Sequence, residues 1–217
     1  MELNYLILTD NMTDIFRNFK HCKLHTVDIH TTSNNIHNAN FVDAEIERLN
    51  MYTKTSSSLT GSILKNIRFL DFKNGCSFSH FEEILSKYNE YLILPDSVTT
   101  IVYPNLAEGK YLKAIYIPPL VTFKHQSSGK NLGEMEPDGA LILIHKDSKA
   151  IKFIQRRKMR YQIVESQDEA REIMEGMYKK NLEEQGKLSR QVQKLQMVGV
   201  EGELLEPKFA GSYSKLK

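Results

Sequence analysis

The sequence predicts an α/β protein of the α+β kind: a mixed, mostly antiparallel sheet with a few helices, a long C-terminal helix and an extended C-terminal arm. Three observations carry this expectation. Short runs rich in β-branched and aromatic residues, punctuated by Gly and Pro, recur between residues 3 and 164, as strands separated by turns do. Segments 140–145 and 150–155 flank Lys146-Asp-Ser-Lys149 like the arms of a hairpin. From 167 to 196 there is no proline, and Ser166 with Glu169 makes a capping box, so a helix of several turns is expected there. The implied organisation is a globular domain over 1–165, a helix over 166–196 and an arm over 197–217.

Taken in order, residues 3–9 read as a strand, and Thr13 or Asp14 as the cap of a short helix carrying Ile15, Phe16 and Phe19. Leu24, Val27 and Ile29 suggest a second strand. The Thr-, Ser- and Asn-rich stretch 31–40 reads as a loop, 41–49 as a short helix and 53–58 as another loop. Residues 63–72 alternate imperfectly as a strand does, and Asn74-Gly75 offers a tight turn. Ser77 or Ser79 caps an expected helix whose apolar face is Phe81, Ile84, Leu85 and Tyr88, with Glu82 and Glu83 complementing its dipole. Segments 91–94, 98–103 and 111–123 follow as strands broken by prolines, and 161–164 as one more. No internal repeat is evident.

The helix from 167 has two apolar groups: Ala170, Ile173, Met174 and Met177, which suit docking on the sheet, and Leu188, Val192 and Leu195, which are spaced like a coiled-coil seam. After 197 the apolar residues Leu204, Leu205, Phe209 and Tyr213 stand among glycines without period. Such a segment gains order by lying on another surface.

Composition limits function. Apolar residues are 41% of the chain and charged residues 26%, which suits a folded core. The net charge of +2 is too small for a dedicated nucleic-acid binder, although 19 of the 29 basic residues lie after residue 110. The two cysteines, Cys22 and Cys76, have neither metal-ligand nor redox spacing and are expected to be reduced thiols. Neither a signal peptide nor a membrane span is evident, so a cytoplasmic protein that does not engage membranes is expected. Abundant Asn, Lys and Ile with no Trp suit an AT-rich coding source, viral or bacterial.

Phosphate-binding glycine motifs, zinc-protease motifs, nucleophile elbows and EF-hand loops are absent, and Gly129 to Gly133 lacks phosphate-loop spacing. His21, His25, His30 and His37 cluster, but Asp28 is the one nearby carboxylate, so no metal and no other cofactor is expected. His30-Thr31-Thr32 and His125-Gln126-Ser127 each follow a strand-like run. This pair resembles the motif of the two-histidine phosphoesterases, which would make His30 and His125 the general base and acid. Thr32 and Ser127 would grip the phosphodiester oxygens. Lys152, Arg156, Arg157, Lys158 and Arg160, with Phe153 and Tyr161 nearby, form a basic cluster able to track a nucleic-acid backbone. Residues 12–20 resemble a short stretch of the tail-baseplate wedge subunits of contractile-tailed phages.

Together these features lead us to expect a non-enzymatic component of a multi-subunit assembly, in the first place a bacteriophage virion or tail-assembly protein, residing in the virion or the host cytoplasm. Its partners would be other subunits or copies of itself, docked on Leu188, Val192, Leu195, Leu204, Leu205, Phe209 and Tyr213. A phosphoesterase or a nucleic-acid-binding regulator using 152–160 are the alternatives.

Overall fold

The computed structural model describes residues 2–9, 19, 21–30, 43–52, 67–73, 76, 80–81, 88–102, 111–124 and 139–198, with side chains described as far as Ser189. Every strand pairing in it is parallel. The chain forms a β-solenoid, which overturns the expected mixed, mostly antiparallel sheet.

Eight strands make the larger sheet: β1 (Glu2–Thr9), β2 (Lys23–His30), β3 (Glu45–Met51), β4 (Ile67–Phe72), β6 (Tyr91–Ile93), β8 (Ala114–Ile117), β10 (Leu141–His145) and β11 (Tyr161–Val164), adjacent in that order. β5 (His80–Phe81), β7 (Thr100–Val102) and β9 (Thr122–Lys124) form a second, smaller sheet. Each of these belongs to the coil begun by β4, β6 or β8.

The cause lies in a repeat that escapes notice in the sequence. Register aligns Leu3, Leu24, Ile46 and Ile67 in one column, and Leu6, Val27, Leu49, Leu70, Leu92, Ile115 and Ile142 in the next. Leu8, Ile29, Met51 and Phe72 make a third. Each of the first four coils therefore carries an apolar-x-x-apolar-x-apolar signature whose three side chains point inward. One coil alone cannot bury them, whereas stacking like on like builds a continuous core. A coil that returns to the same column must run in the same direction, so the pairing is parallel.

Coil-to-coil hydrogen bonds from side chains reinforce the stack. Asn89 Nδ2 donates to the Ile67 carbonyl at 2.7 Å, Cys76 Sγ to Met51 at 2.8 Å, Ser148 Oγ to Pro118 at 3.0 Å and Thr122 Oγ1 to Thr99 at 3.1 Å. Both cysteines are buried.

Several expected elements need correction. The supposed hairpin at 140–155 is β10, a turn and α1 (Ile151–Arg156). Ser148 is anchored to the preceding coil and its Oγ accepts the Ala150 N–H at 3.3 Å, which starts a helix where a hairpin would reverse. Lys158, with φ +54°, then turns the chain into β11. The helix expected at 41–49 is strand β3 over its second half, and the one expected from 77 holds strand β5. The run 111–123 divides at Pro118-Pro119 into β8 and β9, which lie in different sheets. The helix at 13–19, the loops at 31–40 and 53–58 and the Asn74-Gly75 turn fall outside the described residues, apart from Phe19, which is buried.

Helix α2 (Gln167–Val198) agrees with the expected long helix. Ser166 Oγ accepts the Glu169 N–H at 3.1 Å, and Glu169 reaches back to the Glu165 N–H at 2.6 Å. The chain divides into two compact units, Met1–Met174 and Glu175–Lys217. The first contains the solenoid and the opening turns of α2, and the described part of the second is the rest of that helix.

Candidate interaction face

Between the inward columns of the eight-stranded sheet run two outward rows. One is Tyr5, Thr26, Arg48, Phe69, Tyr91, Ala114 and Leu141; the other is Ile7, Asp28, Asn50, Asp71, Ile93, Tyr116 and Leu143. Their character changes along the solenoid. From β4 onward the rows are buried and, apart from Asp71, apolar or aromatic; Ala170 and Met174 of α2 are buried too.

Polar anchors hold the start of α2 against this half. Gln167 Nε2 donates to the carbonyls of Phe72 at 2.9 Å and Leu94 at 2.8 Å. Arg171 donates to the fully buried Asp71 through Nε at 2.8 Å and Nη2 at 3.2 Å, and Lys73 pairs with the same carboxylate at 2.5 Å. Burial alone would lower the pKa of Arg171, but Asp71 and Asp168 outweigh it and hold the guanidinium charged. Tyr116 is pushed well above the usual phenol range, first by burial and then by its hydrogen bond to Asp96.

Across β1 to β3 the face is open. Tyr5 is 55% exposed, Ile7 45% and Tyr52 38%. Asp28 lies beneath them and accepts from the Tyr5 hydroxyl and, at 2.6 Å, from Asn50 Nδ2. That hydrogen bond, followed by desolvation, raises the Tyr5 pKa, while desolvation and then Asp28 raise that of Tyr52. Both phenols therefore stay protonated donors. The imidazole of His30 stacks on Tyr52 with centroids 4.0 Å apart and planes 9° from parallel. Arg48 sits over the Phe69 ring at 4.3 Å, and Phe69 stacks on Tyr91, so contacts run from β3 across β4 to β6. A row of alternating charge borders the face: His25 binds Glu47 at 2.8 Å and Glu2 at 3.0 Å, and Glu90 pairs with Arg68 at 2.9 Å and Lys113 at 2.8 Å.

No protein-family model, curated protein or solved structure matches the chain.

The residues singled out from sequence are scattered. His30 ends β2 and stacks on Tyr52, while Thr32, His125 and Ser127 lie outside the described residues. β9, which precedes His125, belongs to the coil of β8, four strand positions from β2. Lys152, Arg156, Lys158 and Arg160 are exposed on and after α1, and Arg157 lies 5.6 Å from the Phe153 ring. Leu188 is 61% exposed on α2. The side chains of Val192 and Leu195, and all of Leu204, Leu205, Phe209 and Tyr213, are outside the described residues. Among the described residues no group of His, Cys, Asp and Glu is placed to hold a metal ion, and no helix is long and apolar enough to cross a membrane. Sequence reasoning missed Tyr5, Ile7, Asp28, Asn50 and Tyr52 as a group. The signal for them is their position between inward apolar residues of the repeat.

Proposed function

We propose that this chain is a non-enzymatic interaction component of an assembly, a solenoid whose open outer face over β1 to β3 receives a protein partner. One observation carries the reading: the sheet face is buried from β4 onward, where the chain's own helix is anchored at Asp71, Phe72 and Leu94, but presents exposed Tyr5, Ile7 and Tyr52 over β1 to β3. Tyrosines held rigidly by Asp28 and His30 offer large contact area at little entropic cost, which is how protein interfaces use them. Solenoids bind along such extended faces. Leu188 on α2 supplies a second exposed apolar contact, in keeping with the seam expected from sequence.

A bacteriophage virion or tail-assembly role remains our proposal for the setting. It rests on the AT-rich residue usage and the 12–20 stretch. The phosphoesterase reading stays the alternative, with Thr32, His125 and Ser127 outside the described residues, and the basic cluster is equally suited to an acidic protein surface.

The test is isolation of the native complex from the source cell, with the mass of the particle measured. Tyr52→Asp should release the chain from a stoichiometric partner without lowering its melting temperature appreciably. A partner retained by this variant, or phosphodiester hydrolysis lost on His30→Ala, would overturn the proposal.

A further inference from the structure

Strand β1 ends the eight-stranded sheet, and among the described residues no strand lies on its far side. It is eight residues long, Glu-Leu-Asn-Tyr-Leu-Ile-Leu-Thr, with its one charge at the first position. Its inward Leu3 and Leu6 are only partly buried, while Leu24, Val27, Ile46 and Leu49 in the same columns are 0–3% exposed. An end strand of this kind leaves backbone donors, acceptors and core side chains without a neighbour.

The other end of the sheet is built differently. β11 has four residues, stands between Arg160 and the ion pair of Glu165 with Lys146, and runs directly into the capped start of α2. Shortness and flanking charge are how proteins blunt an edge against pairing. Among the described residues one edge is protected and the other is left apolar.

We infer that β1 pairs antiparallel with β1 of a second copy across a two-fold axis normal to the sheet. The strand is self-complementary in this arrangement. From Tyr5 to Thr9 inward and outward residues alternate, so the register in which facing residue numbers sum to 14 sets Leu6 against Leu8 of the partner. Tyr5 and Ile7 then meet outward residues. The carboxylate of Glu2 sits at the far end of the strand and does not oppose itself. Pairing β1 with β11 of another copy would need the short, charge-flanked edge and would grow into an open filament, whereas the two-fold contact closes. Two copies joined this way extend one core and complete the burial of Leu6. The inference concerns the edge of β1 and does not depend on what binds the outer face.

The experiment measures the mass of the full chain by light scattering, and the exchange of β1 amides as protein concentration is varied. A dimer whose β1 amides become protected with rising concentration is expected. Asn4→Lys with Ile7→Lys, both at exposed positions, should weaken the dimer by about tenfold or more by setting like charges across the new pairing, while the fold melts as before. Tyr52→Asp, two strands inward, should leave the dimer intact, which separates failure of this contact from failure of partner binding. A monomer at about 0.1 mM would overturn the inference. So would β1 amides already protected in a monomer, or a dimer undone by Leu188→Asp and indifferent to the two lysines.

Discussion

His25 joins three strands, since its ring nitrogens reach Glu47 on β3 and Glu2 on β1. The hydrogen bond to Glu47, then that to Glu2, raises its pKa above the ordinary 6.5. A folded value above the free one means that the clamp's contribution is fully present below about pH 6.5 and is lost as pH rises through the raised value. The urea midpoint of the wild type should therefore exceed that of His25→Gln on the acid side of this window, and the two should converge on the alkaline side. A difference independent of pH would remove the clamp from the account. Asp71 presents a harsher case. It is wholly buried and answers both Arg171 and Lys73, so Asp71→Ala removes a buried partner from two cations, of which Arg171 keeps Asp168. Denaturant unfolding should show a loss of roughly 3–5 kcal/mol, the cost of breaking a buried pair.

Among the elements, those fixed by local chemistry were legible and those fixed by stacking were not. The start of α2 follows from Ser166 and Glu169, and Ser166→Ala should cost about 1 kcal/mol in thermal or urea unfolding. β1, β2 and β11 lie where their β-branched runs suggest. β3 was misread because Ile46 and Leu49 are three residues apart, a spacing that suits a helix face as well as the first half of this repeat. The hairpin at 140–155 was misread because turn residues between two apolar runs do not reveal that Ser148 is tied to the preceding coil. The basic cluster is largely exposed, and part of it lies on α1. Arg156→Ala with Arg160→Ala should change stability by no more than about half a kcal/mol, measured by thermal unfolding.

At the scale of the molecule, alternation of apolar and polar residues cannot distinguish parallel from antiparallel strands, and the repeat was hidden by its variety. Its second column runs through Leu, Val and Ile, and the spacing between partners stretches from 19 residues for Ile142 to Tyr161 to 27 for Ile115 to Ile142. A usable signal was present in the continuous apolar runs 91–94 and 141–144, since strands buried on both faces belong to parallel sheets. The open face of β1 to β3 was illegible for the same reason, as its residues come together only once the coils are in register. A solenoid is stabilised by each coil's contact with its neighbours, so equal substitutions should differ in cost by position along the stack. Leu49 has coils on both sides and is fully buried, whereas Leu6, in the same column, has a described neighbour on one side only and is partly buried. Leu49→Ala should cost roughly 3 kcal/mol and Leu6→Ala about half as much in dilute solution. If β1 meets its counterpart in a second copy, the gap should narrow as concentration rises, because the Leu6 column is then continued across the two-fold axis. Equal costs at every concentration would show that Leu6 is already supported from both sides within one chain.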